Sequence, residues 1–159
     1  MNIYELLNKL EISYQEVNHP KAYTVKEIQN LHLKIKGTGC KNLFLKDKNS
    51  TYYLIVLEEN KRANMKDLEK LLKTFKLSFA SEKELQDILK VEKGSVTPLA
   101  IINDEKNLVT LLIDEELENK TLLVHPNTND KTISITYEDL LKVIRFTHHS
   151  FKSFWKANY

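Results

Sequence analysis

Hydrophobic residues change their spacing along this chain, and each change predicts an element. Ile3, Leu6, Leu7 and Leu10 recur at i, i+3, i+4 and i+7, one face of a helix. Residues 13–18 read as a short strand ended by His19-Pro20. Thr24 with Glu27 forms a capping box and opens a short helix, and Gly37-Thr38-Gly39 breaks the chain. The apolar-rich runs 41–46 and 52–57 flank the polar turn Asp47-Lys48-Asn49-Ser50, a hairpin pattern. Asn64 caps a helix with Leu68, Leu71, Leu72 and Phe75 on one face. Residues 77–80 read as a strand. Ser81 and Glu84 form a second capping box, opening a helix with Leu85, Ile88 and Leu89 inward. After a loop at 93–98, strands are predicted at 99–102, 108–113, 121–125 and 132–135. Thr136 caps a last helix burying Leu140, Leu141, Val143 and Ile144, and the aromatic, basic tail from Phe146 to Tyr159 reads as its extension. Strands joined by short turns and interleaved irregularly with helices predict a mixed α/β fold. Its sheet is mixed and largely antiparallel, with helices packed around it.

The chain is 159 residues long. At that length roughly 70% of the unfolded surface is buried, enough for one domain over 1–159 with 146–159 as a C-terminal extension. Three glycines and three prolines leave no composition for a long linker. No apolar run approaches the ~20 residues of a membrane span, and the N-terminus lacks the basic-then-apolar pattern of a signal peptide. Cys40 is the single cysteine and has no internal disulfide partner. A cytoplasmic protein with no membrane partner is expected. A net charge of +2 does not announce nucleic acid. Lys34, Lys36, Lys41, Lys46 and Lys48 are nevertheless concentrated, as are Lys142, Arg145, Lys152 and Lys156. Such clusters are solvated faces or phosphate-binding surfaces.

Several familiar chemistries are missing. There is no phosphate-cradling Gly-Lys-Ser/Thr run, no dinucleotide glycine fingerprint and no histidine or cysteine pair with metal-ligand spacing, so neither a cofactor nor a metal is expected. His148-His149 reads as a solvated pair in the tail. Ser95 lacks the glycine-flanked elbow of a nucleophile and reads as a turn residue. Cys40 beside Lys41 is either a reactive thiol or a small packed group, packing being the simpler reading. Three features stay open. Lys41 heads an apolar strand, either snorkelling to water or placed in a cleft. Gly94-Ser95-Val96-Thr97-Pro98 is either a plain connection or a loop aiming backbone N–H groups at a carbonyl or an anion. His125-Pro126 is either structural or part of a site.

In their order, Lys41-Asn42-Leu43-Phe44-Leu45-Lys46-Asp47, Gly94-Ser95-Val96-Thr97-Pro98 and His125-Pro126 resemble the aminoacyl-tRNA trans-editing proteins. That superfamily comprises the insertion domain of bacterial prolyl-tRNA synthetase and the YbaK-type deacylases. His19-Pro20 followed by Thr24 fits it too, and the likeness runs from about Tyr4 to Ile144. The string from Cys40 to Asp47 is similar to the free-standing branch that removes alanine mischarged onto proline tRNA. The resemblance implies a deacylase acting in trans on the acceptor end of mischarged tRNA, with prolyl-tRNA synthetase as a further partner and no role for DNA. It implies catalytic roles for Lys41, Gly94, Ser95, Val96 and His125, and substrate contacts from Asn42, Thr97, Pro98, Thr24 and His19. An ester is activated, so a placed water, a polarised carbonyl and a held substrate suffice, without metal or covalent nucleophile. Val25, Ile28, Leu31 and Leu33 are offered as one wall of the amino-acid pocket. Deacylation of cysteinyl or another mischarged tRNA, or a ligand-sensing module without turnover, are the alternatives.

Overall fold

Residues 1–21 and 35–154 are described by the computed structural model. The expected Thr24 capping box, the wall from Val25 to Leu33 and the end of the tail lie outside the described residues. Among the described residues the order is α1 (Ile3–Lys9), β1 (Gln15–Asn18), β2 (Thr38–Lys46), β3 (Tyr52–Glu58), α2 (Met65–Leu72), β4 (Ser78–Phe79), α3 (Glu82–Ile88), a 3-10 turn (Pro98–Asn103), β5 (Val109–Asp114), a short 3-10 turn (Glu115–Leu117), β6 (Thr121–Val124), β7 (Lys131–Thr136), α4 (Tyr137–Phe146) and β8 (Phe151–Phe154). The expected caps form: Asn64, Ser81 and Thr136 each accept an amide three residues on, and Glu84 closes the capping box.

The sheet runs β1-β7-β6-β2-β3-β5-β8, with β4 on β2. Pairs β1·β7, β6·β7, β2·β3 and β2·β4 are antiparallel, and β2·β6, β3·β5 and β5·β8 are parallel. Both faces are covered, so the central strands read as continuous apolar runs. Phe44, Leu54, Val56, Leu111 and Ile113 join the larger core with α1, α3 and α4. Leu45, Tyr53, Ile55, Leu57 and Leu112 face a smaller core under α2.

Several expectations are corrected. Residues 99–102 form a 3-10 turn, not a strand. Pro98 presets its first φ, the Thr97 hydroxyl accepts the Leu99 amide, and Leu99, Ala100 and Ile101 are buried all round, which erases any period. The tail does not extend α4. Thr147 returns its hydroxyl to the Val143 and Ile144 carbonyls, His148 turns left-handed at φ 60°, and Phe151–Phe154 pairs parallel with β5. Gly37-Thr38-Gly39 is not a break: β2 already begins at Thr38, and a Cβ on Gly39 would lie 1.9 Å from the Glu59 carboxylate. On α2, Leu68 is buried, whereas Leu71 and Phe75 are exposed. The helix stops at Leu72 before left-handed Lys73, so Phe75 is no longer on its face.

Candidate active site

Strand β2 is paired with β3 along residues 40–46, but its other edge is only partly covered. There β6 pairs at Thr38 and Gly39 and β4 at Leu45 and Lys46. In an antiparallel ladder successive residues turn their N–H and C=O groups to opposite edges. The Gly39 carbonyl accepts from Glu59 N on the β3 side, and the Phe44 carbonyl accepts from Ala80 N on the other. Asn42 therefore presents its backbone N–H and C=O to the uncovered stretch, and among the described residues neither is taken by another backbone group. A cavity of about 620 Å³ lies along this opening.

Strand parity sends neighbouring side chains to opposite sides of that edge. Cys40, Asn42 and Phe44 lie on the face of the larger core; Lys41, Leu43 and Leu45 lie on the other. All but Leu45 line the cavity, which wraps around the open edge. Gly94 and Val96 enter from the loop between α3 and the 3-10 turn, and His125 from the end of β6. Five of the expected site residues, Lys41, Asn42, Gly94, Val96 and His125, thus meet in one space.

The loop is fixed by its own polar groups. Gly94 has φ 88°, a left-handed value that glycine takes without strain. Ser95 is buried, and its amide donates to the Glu92 carbonyl, closing the turn. Thr97 is fully buried; its hydroxyl donates to the His125 carbonyl at 2.7 Å and accepts the Leu99 amide at 3.3 Å. Asn42 Nδ2 donates to the Val96 carbonyl at 3.3 Å, tying β2 to the loop and leaving Asn42 Oδ1 buried with no partner among the described residues. Ser95, Thr97 and Pro98 lie behind the cavity wall and shape it without facing it.

Two groups are electrostatically set apart. Burial lowers the Lys41 pKa, the Arg62 guanidinium lowers it further, and Glu58 works the other way. Among the described residues no carboxylate reaches Lys41 within ion-pair distance. His125 is buried, and its Nδ1 lies 2.8 Å from the Lys131 carbonyl, which obliges that nitrogen to carry the proton. Burial holds its pKa below the usual histidine value, so near neutrality the ring is uncharged and Nε2 is an acceptor. His19 does not line the cavity. Its ring centroid lies 6.0 Å from that of His125, and its nitrogens engage the Pro20 carbonyl and the Thr132 hydroxyl.

Cys40 also lines the cavity, but burial first, then the Glu59, Glu58 and Asp114 carboxylates, push its thiol pKa up, the reverse of an activated nucleophile. His149 departs from the solvated pair expected in the tail. It is buried, with Nε2 2.8 Å from Asp104 Oδ2 and Nδ1 2.7 Å from Thr147 Oγ1. Sequence reasoning also missed Phe79, Lys93 and Leu43 as lining residues; only strand parity and the loop position of Lys93 carry that signal. Among the described residues no three His, Cys, Asp or Glu side chains converge as metal ligands, and no helix is long and apolar enough to cross a membrane.

The profile of the aminoacyl-tRNA editing domain matches residues 19–143, a span that contains the cavity's lysine, its loop and its histidine. The chain belongs to the aminoacyl-tRNA editing family. It is 36% identical over 149 residues to the prolyl-tRNA editing protein ProX of Acetoanaerobium sticklandii, covering 92% of this chain and 91% of that one. It is 34% identical to the prolyl-tRNA synthetase associated domain-containing protein 1 of Danio rerio, covering 92% and 81%. Two solved structures share the fold. One is the hypothetical protein APE2540, with TM-score 0.72 at 16% identity over 95% of this chain and 96% of that one. The other is described provisionally as a trans-editing enzyme for prolyl tRNA synthetase, with TM-score 0.69 at 18% identity over 95% and 94%.

Proposed function

We propose that this protein is a cytosolic aminoacyl-tRNA deacylase that acts in trans and hydrolyses alanine from mischarged proline tRNA. One observation carries the reading. The uncommitted lysine, the open strand edge, the backbone of Gly94–Val96 and a neutral histidine meet in one cavity of an editing-family chain. The ProX relative, a prolyl-tRNA editing protein by name, points to proline tRNA, with prolyl-tRNA synthetase as a companion.

The chemistry follows from the groups present. Lys41 is a compact cation on a flexible stem that holds the terminal phosphate or ribose of the tRNA. The ester carbonyl lies against the Gly94–Val96 turn. Because the Ser95 amide is committed to Glu92, the amides of Gly94 and Val96 are left to polarise it as charge develops on its oxygen. His125 Nε2 accepts a hydrogen bond from the attacking water or a ribose hydroxyl and orients it. Water adds to the carbonyl carbon, the acyl–oxygen bond breaks, and the ribose oxygen takes a proton; free alanine and intact tRNA leave. Nothing in these steps calls for a metal or a covalent nucleophile. Selectivity rests on size. A synthetase site shaped for proline discriminates weakly against smaller side chains, at ~1–3 kcal/mol for missing methylenes. A second site too small for proline then removes the error and spares the correct product.

The test is release of labelled amino acid from alanine-, cysteine- and proline-charged proline tRNA. Loss of alanine alone supports the assignment. Loss of cysteine instead moves the substrate to the neighbouring branch, and loss of none leaves a binding module without turnover.

A further inference from the structure

Phe79 is the largest apolar side chain at the cavity that no packing explains. It sits in the two-residue strand β4, opposite Leu45 of β2, and the Ala80 amide bonded to the Phe44 carbonyl at 3.0 Å holds the backbone beside it. Its ring is nevertheless 61% exposed and lines the cavity. Among the described residues no other aromatic ring and no cation rests on it. A flat ring on a fixed backbone, open to solvent at the mouth of a site, is a stacking platform.

Parity says which part of a substrate it meets. Directly opposed residues on paired strands point to the same face, so Phe79 shares a face with Leu45, Leu43 and Lys41. Asn42 and Val96 lie on the other side of the open edge. The two faces divide the cavity into an inner side with the Asn42 amide and the Val96 backbone, and an outer side with an apolar floor, a flat ring and a cation. From Lys41 to the position opposite Phe79 the strand advances four residues, about 13 Å. A nucleoside with its 5′ phosphate fits that span when the lysine stem reaches back toward the ring. The outer side therefore has the chemistry of a nucleotide site, and the inner side that of the aminoacyl ester.

We propose that Phe79 stacks on the terminal adenine of the tRNA while Lys41, on the same face of β2, meets the adjoining phosphate. The open strand edge lies between them, at the ester. This deepens the deacylase reading and rests on it. Stacking is tolerant of base identity, so this contact supplies affinity and placement, and discrimination between amino acids stays with the inner side.

The experiment uses the full chain and uncharged proline tRNA whose 3′-terminal adenine is replaced by 2-aminopurine, whose fluorescence falls on stacking. A 5′-labelled copy reports binding by anisotropy, and wild-type deacylation of alanine-charged tRNA is measured alongside. Wild-type protein is expected to quench the probe in step with binding. Phe79→Ala should abolish the quench and weaken binding about 10-fold. Phe79→Leu, which keeps apolar bulk without a π face, should behave like Phe79→Ala, and Phe79→Trp should restore both signals. The exposed site predicts an unchanged melting midpoint for all three. If Phe79→Ala quenches as the wild type does while the wild type binds and deacylates, the stacking assignment is overturned and the deacylase reading stands. If the wild type neither binds nor deacylates, the deacylase reading fails and the stacking assignment falls with it.

Discussion

His125 and His149 are equally buried, each 7% exposed, and each follows or precedes a strand, yet their ring nitrogens are committed differently. His149 has both ring nitrogens committed, one to the Asp104 carboxylate and one to the Thr147 hydroxyl, so it locks the start of β8 to the turn before β5. His125 has one nitrogen committed to the Lys131 carbonyl and keeps the other for the cavity it lines. Strand β2 repeats the contrast. Lys46 donates to Glu84 at 2.9 Å, and Glu84 also takes the Tyr52 hydroxyl and the Ser81 amide, whereas Lys41 has no such partner among the described residues. Residue type and burial do not separate structure from function here. What separates them is whether the polar atoms already have partners, since an unmatched buried polar atom is costly unless a ligand completes it.

That contrast can be broken at its structural end first. His149→Ala leaves a buried carboxylate with only the Leu108 and Val109 amides, and should lower stability by about 3 kcal/mol, read by denaturant unfolding. The deacylation rate of the molecules that stay folded should be nearly unchanged. His125→Ala should do the reverse: a loss of roughly 30-fold in single-turnover deacylation, about 2 kcal/mol, with less effect on unfolding. Equal losses in both readouts for either variant would erase the distinction.

The pH dependence sharpens it further. Glu84 is held at about 2 by the Ser81 amide first, then the Tyr52 hydroxyl and Lys46, and the Tyr52 hydroxyl is pushed up to about 12 in return. A carboxyl lower in the folded than in the unfolded chain stabilises above its ordinary value, and that stability is lost as pH falls toward 2. Glu84→Gln should therefore cost about 1–2 kcal/mol at pH 7 and progressively less below pH ~4. For His125 the sign is the same, in a window nearer neutrality. Its folded pKa lies below the ordinary value, so the unfolded chain binds the proton more readily. Stability should fall as pH drops through ~6.5, while deacylation should show no inflection there, because the folded ring is still neutral. The smallest expected effect is that of a chelator: deacylation in excess EDTA should match the untreated rate, and inhibition reversed by added zinc would remove the metal-free mechanism.

Much of this was legible in the sequence, for identifiable reasons. Caps and strands announce themselves locally, and Asn64, Ser81, Glu84 and Thr136 do in the fold what their spacing predicts. Lys41, the Gly94 loop and His125 were legible as a set through the family resemblance, and the cavity unites them. Most of the misses depend on tertiary context. The apolar run after Pro98 is buried all round, so no period distinguishes a strand from a 3-10 turn. Strand β8 exists because β5 offers a parallel edge, and no local pattern in an aromatic, basic tail encodes that edge. His149 looked solvated because its partner Asp104 is 45 residues away. The opening beside Asn42 is a property of where β6 and β4 stop pairing, which residues 40–44 alone do not reveal.

The central claim, that the uncommitted groups around the β2 edge perform the deacylation, is tested most directly on the two lysines of that strand. Single-turnover release of alanine from alanine-charged proline tRNA should fall about 100-fold in Lys41→Ala, some 2.7 kcal/mol, with an unchanged melting midpoint. Lys46→Ala should keep the rate and lower the midpoint slightly, as expected for a partly exposed ion pair. A full rate in Lys41→Ala, or a rate lost equally in both variants, would contradict it.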